Sequence, residues 1–580
     1  MKKQLLSILL VLTLVLGLLA GCGSDTSEAV SSAPAASMPE TASVPVEETA
    51  PETSPEAPSS EAEASTPEAE APAEPTYTIP IVDEPVTYSM WMAYAPLAAE
   101  LVNTETLEGM FVLDTLQEIT NIHFDFVTAN GAAEQDNFNL MIASGDYTDI
   151  LSSMEFYNTG LEGAVEEGIV QDLADVLPEA CPTYWSYLSS NTNTLMRAYT
   201  DSGYMPAILV LTPEVGQEVV GPVLRGDWLA DFGMEIPKTY DDLYSYIEKA
   251  NTEYGAIFEM TSSAGMMAEL AYGMNIEIGG YNVEDGEVIY GASQEGFKDY
   301  LKFMNKLFEN KLIPQDFFAD TSEDLSSKAR LDFGLGSNSL LSVAANNTSD
   351  IMMNITDEDF SMAVLPFVSA DGTIENHVGP DTLTNTVKDS DPWCFNAELE
   401  DIDPLLELVE YLFSDEGYLL TNYGVEGETY TMVDGKPQYT ALIINNPDGL
   451  SYFFASYVYV TNAASGFFPY INDMEKTYYE FNDNQWQVYE DLKSLSDCAY
   501  NYPSFAVMDA EESSEYSSIE SDLSTYAESA ILEFIVGTTD IDEGFDTYVD
   551  TLYEMGLQDL IDLKQAAYDR AMERYADFTA

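Results

Sequence analysis

Cys22 has the setting that most narrowly defines a chemistry. Lys2 and Lys3 precede an apolar run from Leu5 to Ala20, and Leu19-Ala20-Gly21-Cys22 is followed by Gly23 and Ser24. About 15 apolar residues behind a short basic region are too few for a comfortable membrane span, while small residues before a cysteine suit a signal peptidase. The expected product begins at Cys22, its thiol carrying lipid, with the signal peptide 1–21 removed. An uncleaved anchor is the alternative, and it gives the Leu-Ala-Gly-Cys placement no purpose. On either reading the body of the chain works outside the cytoplasm.

Other reactive residues are sparse. His123 and His377 are isolated, so a histidine triad or multi-histidine metal site is not expected, although a single His base stays open. Cys181, Cys394 and Cys498 are widely spaced; one disulfide is possible, but neither a disulfide framework nor a zinc spacing is present. No nucleophile, metal or phosphate motif is recognisable, so no cofactor and no metal are expected. Aromatic residues are plentiful, with 37 Tyr, 26 Phe and 5 Trp. Sugars offer apolar C–H faces ringed by hydroxyls, and flat rings beside a few carboxylates, amides and arginines are what hold them. Trp91 and Tyr94 are candidates for such platforms because they fall just after a strand, where doubly wound sheets open toward ligand. Trp91 reads equally well as core. Ser144, Asp146 and Asp149 form a second candidate group, with a plain turn as the alternative.

Composition bounds the partners. There are 102 acidic residues against 19 basic ones, a net charge of −83. A field of that sign repels polyanions and anionic headgroups, which excludes nucleic acid and leaves the lipid as the means of holding the chain at a membrane. The same field weakly favours neutral or cationic ligands. Residues 22–78 are almost wholly Ser, Ala, Pro, Glu and Thr after the cysteine, too polar to repay ordering entropy. They read as a disordered tether with a reach of about 40 Å or more, long enough to lift a domain through a thick Gram-positive envelope.

Elements that would position the candidates follow from periodicity. Val86 to Met92 alternates as a strand; Val112, Leu113, Leu116 and Ile119 mark a helix; Ile122–Val127 is a second strand. A helix bearing Phe138, Met141 and Ile142 leads through Ser144-Gly145-Asp146 to the short strand Ile150-Leu151. This order opens an α/β sheet. Thr239-Tyr240-Asp241-Asp242 has the pattern of a helix cap, with Leu243, Tyr246, Ile247 and Ala250 as the apolar face. Phe545, Val549 and Leu552, then Leu560, Leu563 and Ala567, mark two C-terminal helices separated by Gly556. The aromatic clusters Tyr452–Tyr459 and Phe467–Tyr470 read as mostly core.

Several separated segments resemble extracellular solute-binding proteins of family 1, the carbohydrate-type lipoproteins of bacterial ABC importers. Phe138–Ile150 (Phe-Asn-Leu-Met-Ile-Ala-Ser-Gly-Asp-Tyr-Thr-Asp-Ile) is similar to the family's helix, Ser-Gly-Asp turn and strand. Gly168–Leu173 follows, then Arg225-Gly226-Asp227-Trp228-Leu229 with Gly233 and Pro237–Leu243. Tyr411–Gly417 precedes Tyr423–Tyr430, and Met555-Gly556-Leu557 precedes Ala567–Arg570. Order and spacing carry the likeness, which spans nearly all of the chain after the tether. A calcium loop of the Asp-Asn-Gly-Asp-Gly kind found in longer relatives is replaced after Ala250 by Asn251-Thr252-Glu253-Tyr254-Gly255, so no calcium site is expected there.

The resemblance implies an α/β, two-lobe periplasmic-binding-protein-like fold of type II, with a hinge and a helix-rich C-terminal part. It implies a solute-binding body over 79–580: a first lobe of about 79–215 plus part of 345–425, and a second of about 216–344 plus most of 426–580. Ligand, a sugar or oligosaccharide, would sit in the cleft of a monomer and pass to permease subunits in the membrane. Within that frame Arg225 and Asp227 open a second-lobe helix and either pair or reach the cleft, and Trp393 lies where the lobes reconnect and is a stacking candidate. Glu426 and Tyr430 serve ligand or hinge. The Arg-Gly-Asp string as an adhesion motif, a surface glycan-capture lipoprotein without a transporter, a secreted glycoside hydrolase and a peptide-type ligand remain as alternatives.

Overall fold

The alternation that begins at Val86 continues to the end of strand β1 (Val86–Tyr94), which lies parallel to β2 (Ile122–Asn130) in unbroken register from Val86–Ile122 to Tyr94–Asn130. Between them runs α1 (Phe111–Thr120), burying Val112, Leu113 and Leu116, and after β2 comes α2 (Glu134–Ser144), burying Phe138 and Met141. Strand β3 (Ile150–Leu151) pairs parallel to β1 through Met90–Ile150. In this computed structural model the residues described are 77–94, 110–130, 134–212, 222–258, 270–319, 361–380, 387–433, 435–447, 450, 452–460, 468–473, 476 and 483–579. Cys22, the signal peptide and all but the last two residues of the tether lie outside them.

Two further strands complete the sheet in the order β2-β1-β3-β9-β4, with β4 at Ile208–Leu211 and β9 at Val387–Phe395 antiparallel to both β3 and β4. The register of β9 slips opposite Leu209: Ile208 faces Trp393, but Val210 faces Lys388. That bulge accommodates Pro392, which has no N–H to give to a ladder. Helices α7 (Asp403–Leu412) and α8 (Asp415–Tyr423) cover one face of this first lobe.

The second lobe has its own core. It contains β5 (Val223–Arg225) paired with β8 (Met362–Val364), α4 (Gly226–Phe232), α5 (Tyr240–Tyr254), the hairpin β6 (Tyr281–Glu284) and β7 (Glu287–Tyr290), and α6 (Phe297–Glu309). Helices α9 (Ala510–Ile535), α10 (Ile541–Glu554) and α11 (Leu557–Thr579) complete it. Helix α5 begins with the capping box that its sequence announces: Thr239 Oγ1 accepts from Asp242 N–H, and the Asp242 carboxylate accepts from Thr239 N–H. Gly556, at φ +107°, makes the break between α10 and α11 in a backbone conformation that L side chains rarely adopt.

The two cores alternate along the chain. The first-lobe core uses residues 81–211, 387–420 and 468–471; the second uses 223–378 and 488–560. Residues 426–473 therefore fall differently from the expected division. The hairpin of β10 (Tyr430–Val433) and β11 (Lys436–Tyr439) packs through Tyr430 and Tyr439 on Tyr423 of α8, extending the first lobe. Conversely, 362–378 belongs to the second lobe. Among the described residues the chain changes lobe three times, and these points lie side by side on the first lobe: Leu211 pairs with Val387 on one side and with Ile471 on the other.

Candidate functional site

The carboxyl ends of β1, β2 and β3 point the same way as the end of β4, toward the crossovers, so the first lobe presents this edge to the second. Side chains on the edge are tightly organised. Ser152 Oγ donates to Trp91 O at 2.8 Å; Ser153, at φ 60°, donates from Oγ to Glu134 Oε1 at 2.5 Å and accepts from Trp91 Nε1 at 3.3 Å. Burial, with the Glu134 charge adding, raises the Glu155 carboxyl above its ordinary range.

Several expected contact residues are placed elsewhere. Trp91 is 3% exposed, its ring against Phe138, and Trp393 is fully buried between Phe124 and Phe468. Neither offers a face to a sugar; each fills the first-lobe core because the sheet is covered on both sides. Tyr94 ends β1 on the correct edge, its backbone paired with Asn130. Ser144 and Asp146 lie on the side where the strands begin: Ser144 Oγ donates to Met141 O and accepts from Asp146 N–H, closing an exposed turn. Asp149 ties β3 to β1, its Oδ2 accepting from Ser89 N–H at 2.7 Å and Ser89 Oγ at 2.8 Å.

In the second lobe Arg225 is 4% exposed and gives a forked pair of hydrogen bonds to Asp227 while lying over the Trp228 ring. The two charges satisfy each other inside the lobe, which removes both from the ligand surface and leaves Arg-Gly-Asp unable to present itself for adhesion. Tyr430 is buried and Glu426 exposed on the β10–β11 extension, joined by a backbone bridge, and burial with the Glu426 charge adding raises the Tyr430 hydroxyl. The structure thus brings Ser144 to Asp146, Arg225 to Asp227 and Glu426 to Tyr430, but does not gather the pairs into one cluster.

A cluster does form within the second lobe, beside its contact with the first. The segment 497–506 lies against β6, with Val283 N–H donating to Tyr500 O and Asn282 bridged to Asn501. Asn501 also exchanges hydrogen bonds with the backbone of Gly379, just before the second crossover. Phe505 and Ala506 of this strap, together with Ala571 of α11, pack on Met196 of helix α3 (Thr192–Ala198) in the first lobe. Between strap, hairpin and helices lies a cavity of about 440 Å³ whose walls carry Tyr272, Tyr281, Tyr502 and Tyr516 beside Glu277, Asn282, Asn501 and Lys564. Gly273 sets one wall: a Cβ there would come within 1.9 Å of Val368 O, so only glycine lets Tyr272 approach Phe367. This is a ligand-sized site with aromatic walls and polar corners.

No family profile matches the chain. Curated relatives do. The chain is 22% identical over 340 residues to the polygalacturonan/rhamnogalacturonan-binding protein YtcQ of Bacillus subtilis, covering 55% of this chain and 64% of that one. It is 21% identical over 467 residues to lipoprotein LipO of the same organism, covering 77% and 87%. With the fructooligosaccharide ABC transporter substrate-binding protein FusA of Streptococcus pneumoniae it shares 25% over 266 residues, 42% of this chain and 47% of FusA. The chain thus spans less than two thirds of YtcQ and under half of FusA. Among solved structures, an HMO-binding solute-binding protein of Bifidobacterium longum infantis superposes with a TM-score of 0.67 at 17% identity, and alginate-binding AlgQ2 with 0.63 at 20%. Each covers 84% of this chain and 99% of the other. The chain is similar in sequence to curated sugar-binding proteins of bacteria, and in fold to solved carbohydrate-binding solute-binding proteins.

In this chain the candidates named from local pattern were strand ends and motif segments, whereas the polar, tyrosine-walled cavity is assembled from four regions far apart in sequence. One signal was available. Basic residues number only 19 against 102 acidic ones, and Lys564 is one of these few, set among tyrosines by the fold. Cys181, Cys394 and Cys498 are buried in separate places and form no disulfide among the described residues; burial pushes the Cys181 and Cys394 thiols up, away from thiolate chemistry.

Proposed function

We propose that this protein is a lipid-anchored extracellular receptor that captures a sugar or oligosaccharide between its two lobes and delivers it to the membrane subunits of an ABC importer. The observation that carries the proposal is the set of three adjacent crossovers at Leu211, Val387 and Ile471, a narrow joint about which two separately cored lobes can close on a ligand. Relatives named for polygalacturonan, fructooligosaccharide and alginate binding support a carbohydrate as the ligand class. Cys22 supplies the anchor, and the protein works as a monomer on the outer face of the membrane, binding without turnover. The test uses the exported chain and its soluble Cys22→Ala form. The first is expected in the membrane fraction with an acylated Cys22 terminus, the second free of it. The soluble form, incubated with an oligosaccharide panel, is expected to gain thermal stability with at least one member and release no product. Catalytic product release would replace the receptor reading by a hydrolase one, in which Glu155 is the first carboxyl to mutate; no stabilisation across sugars would remove the ligand class.

A further inference from the structure

Lys564 occupies an unusual position for a cation in so acidic a chain. Its Nζ lies 4.8 Å from the ring centroid of Tyr502, 5.2 Å from that of Tyr516 and 5.7 Å from that of Tyr281. Among the described residues it forms no ion pair, whereas Lys298, Lys302 and Lys306 each hold a carboxylate. Burial alone lowers its basicity, with no neighbouring carboxylate countering that effect. Ring faces stabilise an ammonium only in part, and a half-buried cation without a counter-charge retains an unmet demand for one.

A second group in the same cavity shares the demand. Asn282 is 2% exposed; its Oδ1 accepts from Glu277 N–H, but its Nδ2 has no hydrogen-bond partner among the described residues. Buried amide donors are rarely left unmade, because each costs about 1–3 kcal/mol. A cavity that sets an ammonium among four tyrosine rings, with the Glu277 carboxylate and polar Asn282 and Asn501 also on its wall, suits a ligand that carries an anionic group on an otherwise ring-like body.

We propose that this cavity is a subsite for a carboxylate-bearing sugar residue, with the carboxylate on Lys564 and the pyranose face against the tyrosines. The inference rests on the sugar-receptor reading and narrows it to acidic sugars. It also assigns Lys564 the task of overcoming the repulsion that a net charge of −83 exerts on any anion. That repulsion is long-ranged and screened by salt, while the contact at Lys564 is short-ranged and sheltered. Acidic sugars should therefore not lose affinity steeply as salt rises from low to moderate concentration.

The experiment is calorimetric titration of the soluble chain with digalacturonate and trigalacturonate, and with galactobiose and galactotriose as carboxyl-free counterparts. The wild type is expected to prefer the uronates by about tenfold or more, in line with a sheltered charge-assisted contact. Lys564→Met, which keeps an unbranched stem but removes the charge, is expected to abolish the preference without weakening the neutral sugars. Lys564→Arg is expected to restore part of it. Equal affinity for uronates and neutral sugars in the wild type, or a preference that survives Lys564→Met, overturns the inference and leaves the sugar receptor standing. Failure of the uronates to bind also overturns it, and the wider neutral panel then decides separately whether the receptor reading survives. Thermal unfolding of each variant checks folding, with Lys564→Gln substituting if the Met variant fails to fold.

Discussion

Trp393 shows how a residue suited to a binding site becomes a structural one. Its ring is closed in by Phe124 and Phe468 at centroid distances of 5.9 and 5.8 Å, on a strand held from both sides. Trp393→Ala is therefore expected to lower unfolding free energy by about 3–5 kcal/mol, the cost of a large core cavity, while the folded fraction keeps its ligand affinity. Urea unfolding beside calorimetric titration separates the two; a loss of affinity without loss of stability would return Trp393 to the site. In the sequence Trp393 could not be assigned, because a stacked platform and a core ring have the same composition and differ only in what lies on their two faces. Asp149 is a parallel case: a carboxylate at a strand start reads as a ligand group until Ser89 is seen to satisfy it.

Elements whose pattern is local were legible, and those defined by distant partners were not. The strands at Val86 and Ile122, the helix burying Phe138, the cap at Thr239 and the break at Gly556 follow from alternation, helical spacing and side-chain chemistry within a dozen residues. Strand β9 carries Lys388, Asp389, Asp391 and Pro392, a composition nearer to a loop, and exists because β3 and β4 pair with it. The assignment of 426–473 to the first lobe depends likewise on Asp473 accepting from Tyr418 and Tyr423, across some fifty residues. Helix α11 adds a second link between the lobes. Arg570 holds Glu512 of α9 with both terminal nitrogens at 2.6 Å and Asp201 of the first lobe at 3.2 Å, while Arg574 reaches Asp201 and Thr200 O. Because the Arg570 side chain is 37% exposed, solvent weakens these pairs, and Arg570→Met is expected to cost only about 1 kcal/mol. The loss should shrink in high salt. Urea unfolding at low and high NaCl tests this; a salt-independent loss would mean that packing of the Arg570 stem, rather than its charge, holds α11.

Across the whole molecule, tyrosine burial and net negative charge together set the response to pH. Burial pushes the hydroxyls of Tyr184, Tyr240, Tyr246, Tyr281 and Tyr300 above their ordinary value, with neighbouring groups adding at Tyr240 and Tyr281. In the unfolded chain these hydroxyls lose protons near pH 10. Their raised values in the fold mean that the native state holds protons the unfolded state has released. Stability from the neutral buried tyrosines is thus complete below about pH 10 and is lost as pH rises through and beyond it. The same rise removes positive charge from a chain already at −83, so self-repulsion grows in the same direction. The two causes separate by salt: screening relieves repulsion but not the desolvation of a buried phenolate. The thermal midpoint is expected to rise with NaCl at pH 7, and to fall above pH 10 even in 1 M NaCl, with the fall tracking tyrosinate absorbance. A midpoint that stays level from pH 9 to 11 in high salt would show that repulsion alone governs alkaline unfolding and that the buried hydroxyls find relief in the native state.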